Sequence, residues 1–320
     1  MNRKFKKCFI TGISGSAGSY LAEHILSNDK KIKIYGIYNK LGYAKRLKAK
    51  YPKRINIYKV NLNEYSKFKK IINKINPDLI YNFASNANVR MSFVEPKKIL
   101  DNNCNLIINF LEVLREIKSK ALIIICSTSE VYGNVKKKDL PITEKNIISP
   151  VNPYSVSKTF QDLLSQVYLN VYKLNIIITR MFTYTNPRRN DLFQTAFAKQ
   201  IIKLKNKKNK KLYHGNLNSI RSFLDTNDSS SAYWECAKKG KVGEIYNIGG
   251  DTSYKIEYFL KKMIQISKIK NIKTIKSKSL TRPIDITNQI PSSNKFRKET
   301  GWKPKVNLED SIKNLLNYLN

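Results

Sequence analysis

Close to the start of the chain, the run Thr11-Gly12-Ile13-Ser14-Gly15-Ser16-Ala17-Gly18 separates an apolar segment from a helical pattern. Three glycines at this spacing constrain the fold more than any other feature. Gly12 permits a tight turn out of a strand. Gly15 lets backbone come close to a pyrophosphate, and Gly18 lets the next helix pack tightly on the strand. The helix start then offers free N–H groups and the positive end of its dipole to phosphate. The pattern predicts a strand–turn–helix unit that holds a dinucleotide along Gly12, Ser14, Gly15, Ser16, Ala17 and Gly18.

The rest of the first half has the rhythm such a unit needs. Short apolar runs at residues 6–10, 32–37, 55–59, 79–83, 122–127 and 176–180 read as strands. Helical patterns lie between them at 16–27, 65–75, 97–117 and 154–173. This alternation implies a parallel sheet covered on both faces. Ala121-Leu122-Ile123-Ile124-Ile125-Cys126 shows no polar alternation, as burial on both faces requires. After Arg180 the rhythm changes. A helix is expected at 193–205, a strand at 244–248, and helices at 256–267 and 308–318. The expected architecture is α/β: a Rossmann-type doubly wound sheet with a smaller C-terminal α/β substrate lobe. Residues 1–180, with about 222–248, would form the dinucleotide-binding domain. Residues 181–221 and 249–320 would form the lobe.

An acidic residue at the end of the second strand would hold the ribose hydroxyls of NAD. The chain reads Tyr38-Asn39-Lys40 there. Asn39 and Lys40 accommodate an extra phosphate, which favours NADP and leaves NAD open.

Tyr154 and Lys158 share one face of a predicted helix. The spacing alone carries little, because Tyr65/Lys69, Tyr132/Lys136 and Tyr258/Lys262 repeat it. Position separates the first pair. Asn152-Pro153 sets a helix start one loop after the fifth strand. That loop begins Ser127-Thr128-Ser129-Glu130-Val131-Tyr132-Gly133. Loops at the carboxyl ends of parallel strands form the ligand crevice, so Thr128, Ser129, Glu130, Tyr154 and Lys158 are expected to meet there. A nearby ammonium would lower the pKa of Tyr154 and make it a useful base.

Composition excludes other classes. The net charge of +37 could suggest nucleic acid. The excess is nearly all Lys, 49 against 11 Arg, and it is scattered except at residues 205–211. No zinc finger, basic zipper or aromatic RNA-binding signature accompanies it, so no specific nucleic-acid partner is expected. No apolar run approaches the roughly 18 residues of a membrane helix. The basic start lacks the apolar core of a signal peptide, which points to the cytoplasm. Cys8, Cys104, Cys126 and Cys236 form no C-x-x-C pair, and His24 and His214 lie far apart. Free thiols and no metal site are expected.

With these residues in place, the chain resembles the extended short-chain dehydrogenase/reductase family over essentially its whole length, and within it the GDP-mannose 4,6-dehydratases. The narrower likeness rests on residues 127–133, on Pro187-Arg188-Arg189, on Gly215-Asn216-Leu217-Asn218-Ser219-Ile220-Arg221, on Tyr246-Asn247-Ile248-Gly249 and on residues 295–304. The resemblance implies a 4,6-dehydratase acting on a GDP-sugar. Tyr154 would deprotonate the sugar's 4-hydroxyl, with Thr128 on the same oxygen and Lys158 on the cofactor ribose. Hydride would leave C4 and return to C6. Glu130 would remove the C5 proton and assist loss of water from C6. By the same matching Asn61, Leu62, Phe83, Ala84 and Ser85 would border the cofactor. Ser92, Arg188, Asn216, Arg221 and Arg282 would border the substrate. Relatives form dimers or tetramers, so a homodimer or homotetramer is expected. The chain departs from the family at Asn61, Asn88, Leu106-Ile107, Thr183-Tyr184 and Ser222. These departures leave open a GDP-heptose substrate. A 4-keto reductase or 4-epimerase, and a catalytically silent binding relative, remain as alternatives.

Overall fold

A computed structural model describes residues 2–205 and 207–320. Asn206, within the basic stretch singled out above, lies outside the described residues. The first half runs β1 (Lys7–Thr11), α1 (Ser16–Asn28), β2 (Lys33–Tyr38), α2 (Ala44–Lys50), β3 (Ile55–Lys59), α3 (Tyr65–Ile75), β4 (Leu79–Asn82), α4 (Val89–Val94), α5 (Pro96–Glu116), β5 (Leu122–Thr128), α6 (Pro153–Asn170) and β6 (Asn175–Met181). The second half runs β7 (Tyr184–Thr185), α7 (Phe193–Leu204), β8 (Lys211–His214), β9 (Ile220–Ser222), β10 (Leu224–Asp225), α8 (Thr226–Lys239), β11 (Ile245–Ile248), β12 (Ser253–Lys255), α9 (Ile256–Ser267), β13 (Lys273–Lys276), β14 (Asn288–Gln289), α10 (Asn294–Thr300) and α11 (Leu308–Leu319).

Seven strands form one parallel sheet in the order β11-β6-β5-β4-β1-β2-β3. The order reverses between β1 and β4, and in doubly wound sheets ligands bind beyond the carboxyl ends of the strands at such a switch. The Thr11 hydroxyl fastens the switch. It donates to Asn82 Oδ1 at 2.7 Å and accepts from the N–H groups of Phe83 and Ala84 at 3.1 and 3.0 Å. Each face of the sheet carries a core. Leu21, Ile25, Trp234 and Phe296 fill one, and Phe68, Phe110, Leu114 and Tyr168 the other. The lobe has its own core around Phe197, Phe223, Phe259 and Leu315. Its small sheet sets β12 antiparallel and β14 parallel to β9.

The doubly wound expectation holds, and β11 joins the main sheet beside β6. Sequence periodicity does not reveal α8. Its stretch Thr-Asn-Asp-Ser-Ser-Ser-Ala-Tyr-Trp-Glu-Cys-Ala-Lys-Lys is polar in composition. The Ser229 and Ser230 hydroxyls bond back to the Thr226 carbonyl, so the helix can bury a polar face against its neighbours. The short strands β7 to β10 and β12 to β14 also escape sequence reading, being too brief to show a period. Among the described residues no helix is long and apolar enough to cross a membrane.

Candidate active site

The glycine turn has the close contacts its spacing predicts. Gly12 has φ +65°, and a Cβ there would sit 3.1 Å from the Ala84 nitrogen. A Cβ on Gly18 would sit 2.6 Å from the Gly12 carbonyl oxygen, so α1 packs directly on the turn. Gly15 is the N-cap of α1, and no side chain caps that helix start. The uncapped start and a cradle that only glycine fits suit a pyrophosphate. Asn39 and Lys40 are exposed beyond β2. At the end of β3, Asn61 accepts from the Asn63 N–H at 2.9 Å and so closes its own turn. Leu62 is buried in the core, and its carbonyl accepts from Asn109. Phe83, Ala84 and Ser85 follow β4 and are half-buried.

On the other side of the switch, β5 delivers Thr128 and the 3-10 turn Ser129–Tyr132 delivers Glu130. The Thr128 hydroxyl lies beside the Tyr154 phenol and favours its ionised form. Glu130 Oε2 accepts from Asn152 Nδ2 at 2.8 Å. Asn152 also caps α6, in a reciprocal arrangement with Ser155. Pro153 at the first helical position supports the same start. Ser129 is buried beneath this surface.

Burial pushes the Tyr154 phenol well above its ordinary value, and the charges of Glu130 and Cys126 add to the rise. Arg189 is a cation opposing them, with the Thr128 hydroxyl acting the same way. The sequence reading assigns that effect to Lys158. Its ammonium donates to the Cys126 carbonyl and, at 2.7 Å, to Gln161 Oε1. Burial pushes its own pKa down. Arg189 reaches the Ala87 carbonyl and pairs with Asp191 at 2.9 Å. In the sequence it stands out only as part of the Pro-Arg-Arg motif.

Arg221 lies near Glu130 and Arg282. Arg221 is 7% exposed, and its Nη1 donates to the Ile220 carbonyl at 2.9 Å. Among the described residues no carboxylate comes within 4.0 Å of it. Burial, with Arg282 adding to the effect, pulls its pKa down to about 10, against the pull of Glu130 and Asp285. A buried guanidinium without an ion-pair partner, beside a second one, is a ready anion site.

Three other expected substrate residues are committed elsewhere. Arg188 donates to Ser19 Oγ and Glu23 Oε2, both at 2.8 Å, and lies over the Tyr20 ring. It also donates to Tyr318 on α11 at 3.4 Å, so it ties α1 to the last helix. Ser92 is fully buried, and its hydroxyl donates to the Val89 carbonyl at 2.7 Å. Asn216 spends its amide on Asn218 and Ser219 in its own turn. Of the family departures, Asn88 caps α4 through Met91, and Ser222 is buried with its hydroxyl unbonded among the described residues. No three His, Cys, Asp or Glu side chains gather as a metal site among the described residues.

A family model described as GDP-mannose 4,6 dehydratase matches residues 9–315. A dTDP-D-glucose 4,6-dehydratase of Dictyostelium discoideum is 31% identical over 284 residues. That match takes in 83% of this chain but only 64% of the relative, so the chain spans less than two thirds of its length. A GDP-6-deoxy-D-mannose reductase of Pseudomonas aeruginosa is 27% identical over 75% of this chain and 79% of the relative. In fold, the chain resembles a UDP-glucuronic acid 4-epimerase from Bacillus cereus solved with UDP-glucuronic acid and NAD. The TM-score is 0.87 at 24% identity, over 98% of each chain.

Proposed function

The chain belongs to the GDP-mannose 4,6-dehydratase family of extended short-chain dehydrogenases/reductases, and on that premise we propose that it converts GDP-mannose to GDP-4-keto-6-deoxymannose with NADP. The observation that carries the reading is the pairing of two proton-transfer groups. Tyr154 stands beside Thr128, and Glu130 is held by the residue that caps the Tyr154 helix. Reduction or epimerisation at C4 needs only the tyrosine. Elimination of water needs a second acid/base.

The bound cofactor would supply reversible hydride transfer to and from the sugar. Gly12, Gly15 and the start of α1 would hold its pyrophosphate, and Lys158 its ribose. Tyr154 would accept the proton of the 4-hydroxyl, with Thr128 orienting that oxygen and Arg189 favouring the phenolate. A 4-ketone acidifies the C5 hydrogen. Glu130 would take that proton and assist departure of the C6 hydroxyl as water. The sum is loss of one water with no net change in the cofactor. Arg221 and Arg282 would bind the diphosphate. A homodimer or homotetramer is proposed for the assembly, and light scattering in solution checks it.

The test is incubation of the purified protein with GDP-mannose and catalytic NADP, read by mass spectrometry. Loss of one water without consumption of NADP is expected, and Glu130→Gln should abolish it. If protein that binds NADP leaves GDP-mannose unchanged, the GDP-mannose assignment fails, and GDP-heptose is tried next. Turnover only of a 4-keto sugar with NADPH would make the protein a reductase, an activity carried in the name of its Pseudomonas relative.

A further inference from the structure

The steps above leave a buried ion pair unused. Arg180 on β6 donates through Nε and Nη2 to Asp162 Oδ2 and Oδ1, at 2.9 and 3.1 Å. The two side chains are 3% and 0% exposed. The remaining donor, Nη1, reaches the Tyr132 hydroxyl at 2.9 Å, and that hydroxyl donates to Asn247 Oδ1 at 2.8 Å. Ser127 Oγ donates to Asp162 Oδ2 at 2.9 Å. Gln166 Nε2 adds a bond to Asp162 Oδ1 at 3.0 Å.

The pair thus grips both ends of the segment that carries Thr128 and Glu130. Ser127 is bound to Asp162, and Tyr132 is bound to Arg180. Asp162 lies on α6 four residues beyond Lys158 and eight beyond Tyr154, on the same side of the helix. One rigid fork therefore connects the segment bearing one proton-transfer group to the helix bearing the other.

Stability does not explain the pair. Two charges are costly to bury, and apolar side chains of similar volume often replace them without loss. Apolar contact is non-directional, whereas a guanidinium fork fixes distance and plane. Proton transfer is sensitive to such placement. A displacement of one ångström can cost about 100-fold in rate.

We infer that Asp162 and Arg180, extended by Tyr132, are positioning residues that set the Thr128–Glu130 segment against the Tyr154 helix for the two proton transfers. The inference rests on the roles proposed above for Glu130 and Tyr154.

Three variants of the full chain test it: Arg180→Lys, Tyr132→Phe, and the double change Asp162→Leu with Arg180→Met. Lysine keeps the charge but cannot bond Asp162 twice and Tyr132 once. Each variant is assayed for melting temperature, NADPH binding, and kcat and KM on the nucleotide sugar that the wild type turns over. In Arg180→Lys and the double variant, kcat is expected to fall by about 10- to 100-fold, with KM within about twofold. Tyr132→Phe should show a smaller loss of the same kind. A folded double variant, or Arg180→Lys, with wild-type kcat would overturn the inference, as would kcat and KM falling away together. If the double variant does not fold, the two single variants decide. A wild type that turns over no nucleotide sugar would sink the proposed function instead. Hydrogen exchange over residues 127–132 then decides the positioning role. Faster exchange there in Arg180→Lys, with none in β1 to β3, supports it, and unchanged exchange refutes it.

Discussion

Asn152 bonds Glu130 with one end of its amide and starts α6 with the other. Nδ2 donates to Glu130 Oε2 at 2.8 Å, and Oδ1 accepts from the Ser155 N–H at 2.8 Å. The helix that presents Tyr154 and the carboxylate beside it are therefore fixed by a single side chain. Asn152→Asp keeps the cap but sets carboxylate against carboxylate. Its melting temperature should stay near wild type while kcat falls by at least about tenfold. Asn152→Ala should also lose about 1 kcal/mol of stability. Thermal unfolding and steady-state kinetics on the pair separate the two roles.

Gly18→Ala places a methyl 2.6 Å from the Gly12 carbonyl oxygen and 3.0 Å from the Ile13 Cα, both backbone. The start of α1 must move. A loss of about 1–3 kcal/mol is expected, together with weaker NADPH binding in a fluorescence titration. Gly301 has φ +70°, and a methyl added there would meet nothing within 4 Å. Gly301→Ala should cost about 1 kcal/mol through backbone strain and leave NADPH binding unchanged.

Arg189 opposes the rise in the Tyr154 pKa, because a nearby cation favours the phenolate. Arg189→Gln removes that help, so the Tyr154 pKa rises further. The limb of the pH–rate profile along which activity grows with pH should move to higher pH, with lower activity near neutrality. A profile that stays in place would show that another cation governs Tyr154.

Lys40 follows β2 and is exposed. If it meets the 2′-phosphate of NADP, Lys40→Glu should repel that phosphate and offer an acceptor to the ribose of NAD. The ratio of NADP to NAD affinity should fall by about tenfold or more, on the scale of one charge-assisted contact. An unchanged ratio, measured by titration of both cofactors, would remove Lys40 from the cofactor site.

Burial also raises the phenols of Tyr81, Tyr154 and Tyr233 above the ordinary value. A folded-state pKa above the unfolded one gives stability that is present below the unfolded value and is lost as pH rises past it. Stability should therefore decline above pH about 10. Lys158 acts in the opposite sense, since its lowered pKa relieves a buried charge as pH rises. Absorbance during alkaline titration should show tyrosines that ionise only as the protein unfolds.

The sequence by itself determined the sheet and the glycine cradle. Parallel strands buried on both faces are apolar throughout, and their helices carry a 3.6-residue period. Residues 65–75 and 256–267 were therefore legible to the residue. The family motifs drew attention to Thr128, Glu130, Tyr154 and Arg221 because those residue types stand at the carboxyl ends of strands or beside glycine turns. Only the tertiary structure decided what each polar side chain touches. It gave Arg188 to Glu23 and Ser19, and Lys158 to Gln161 and a carbonyl. It set Arg189 to act on Tyr154, and it closed the Asp162–Arg180 pair across 18 residues. A side-chain hydrogen bond depends on direction and distance between elements far apart in the chain. Local periodicity holds no record of either, whereas burial of a strand or helix face is written into every second or every third to fourth residue.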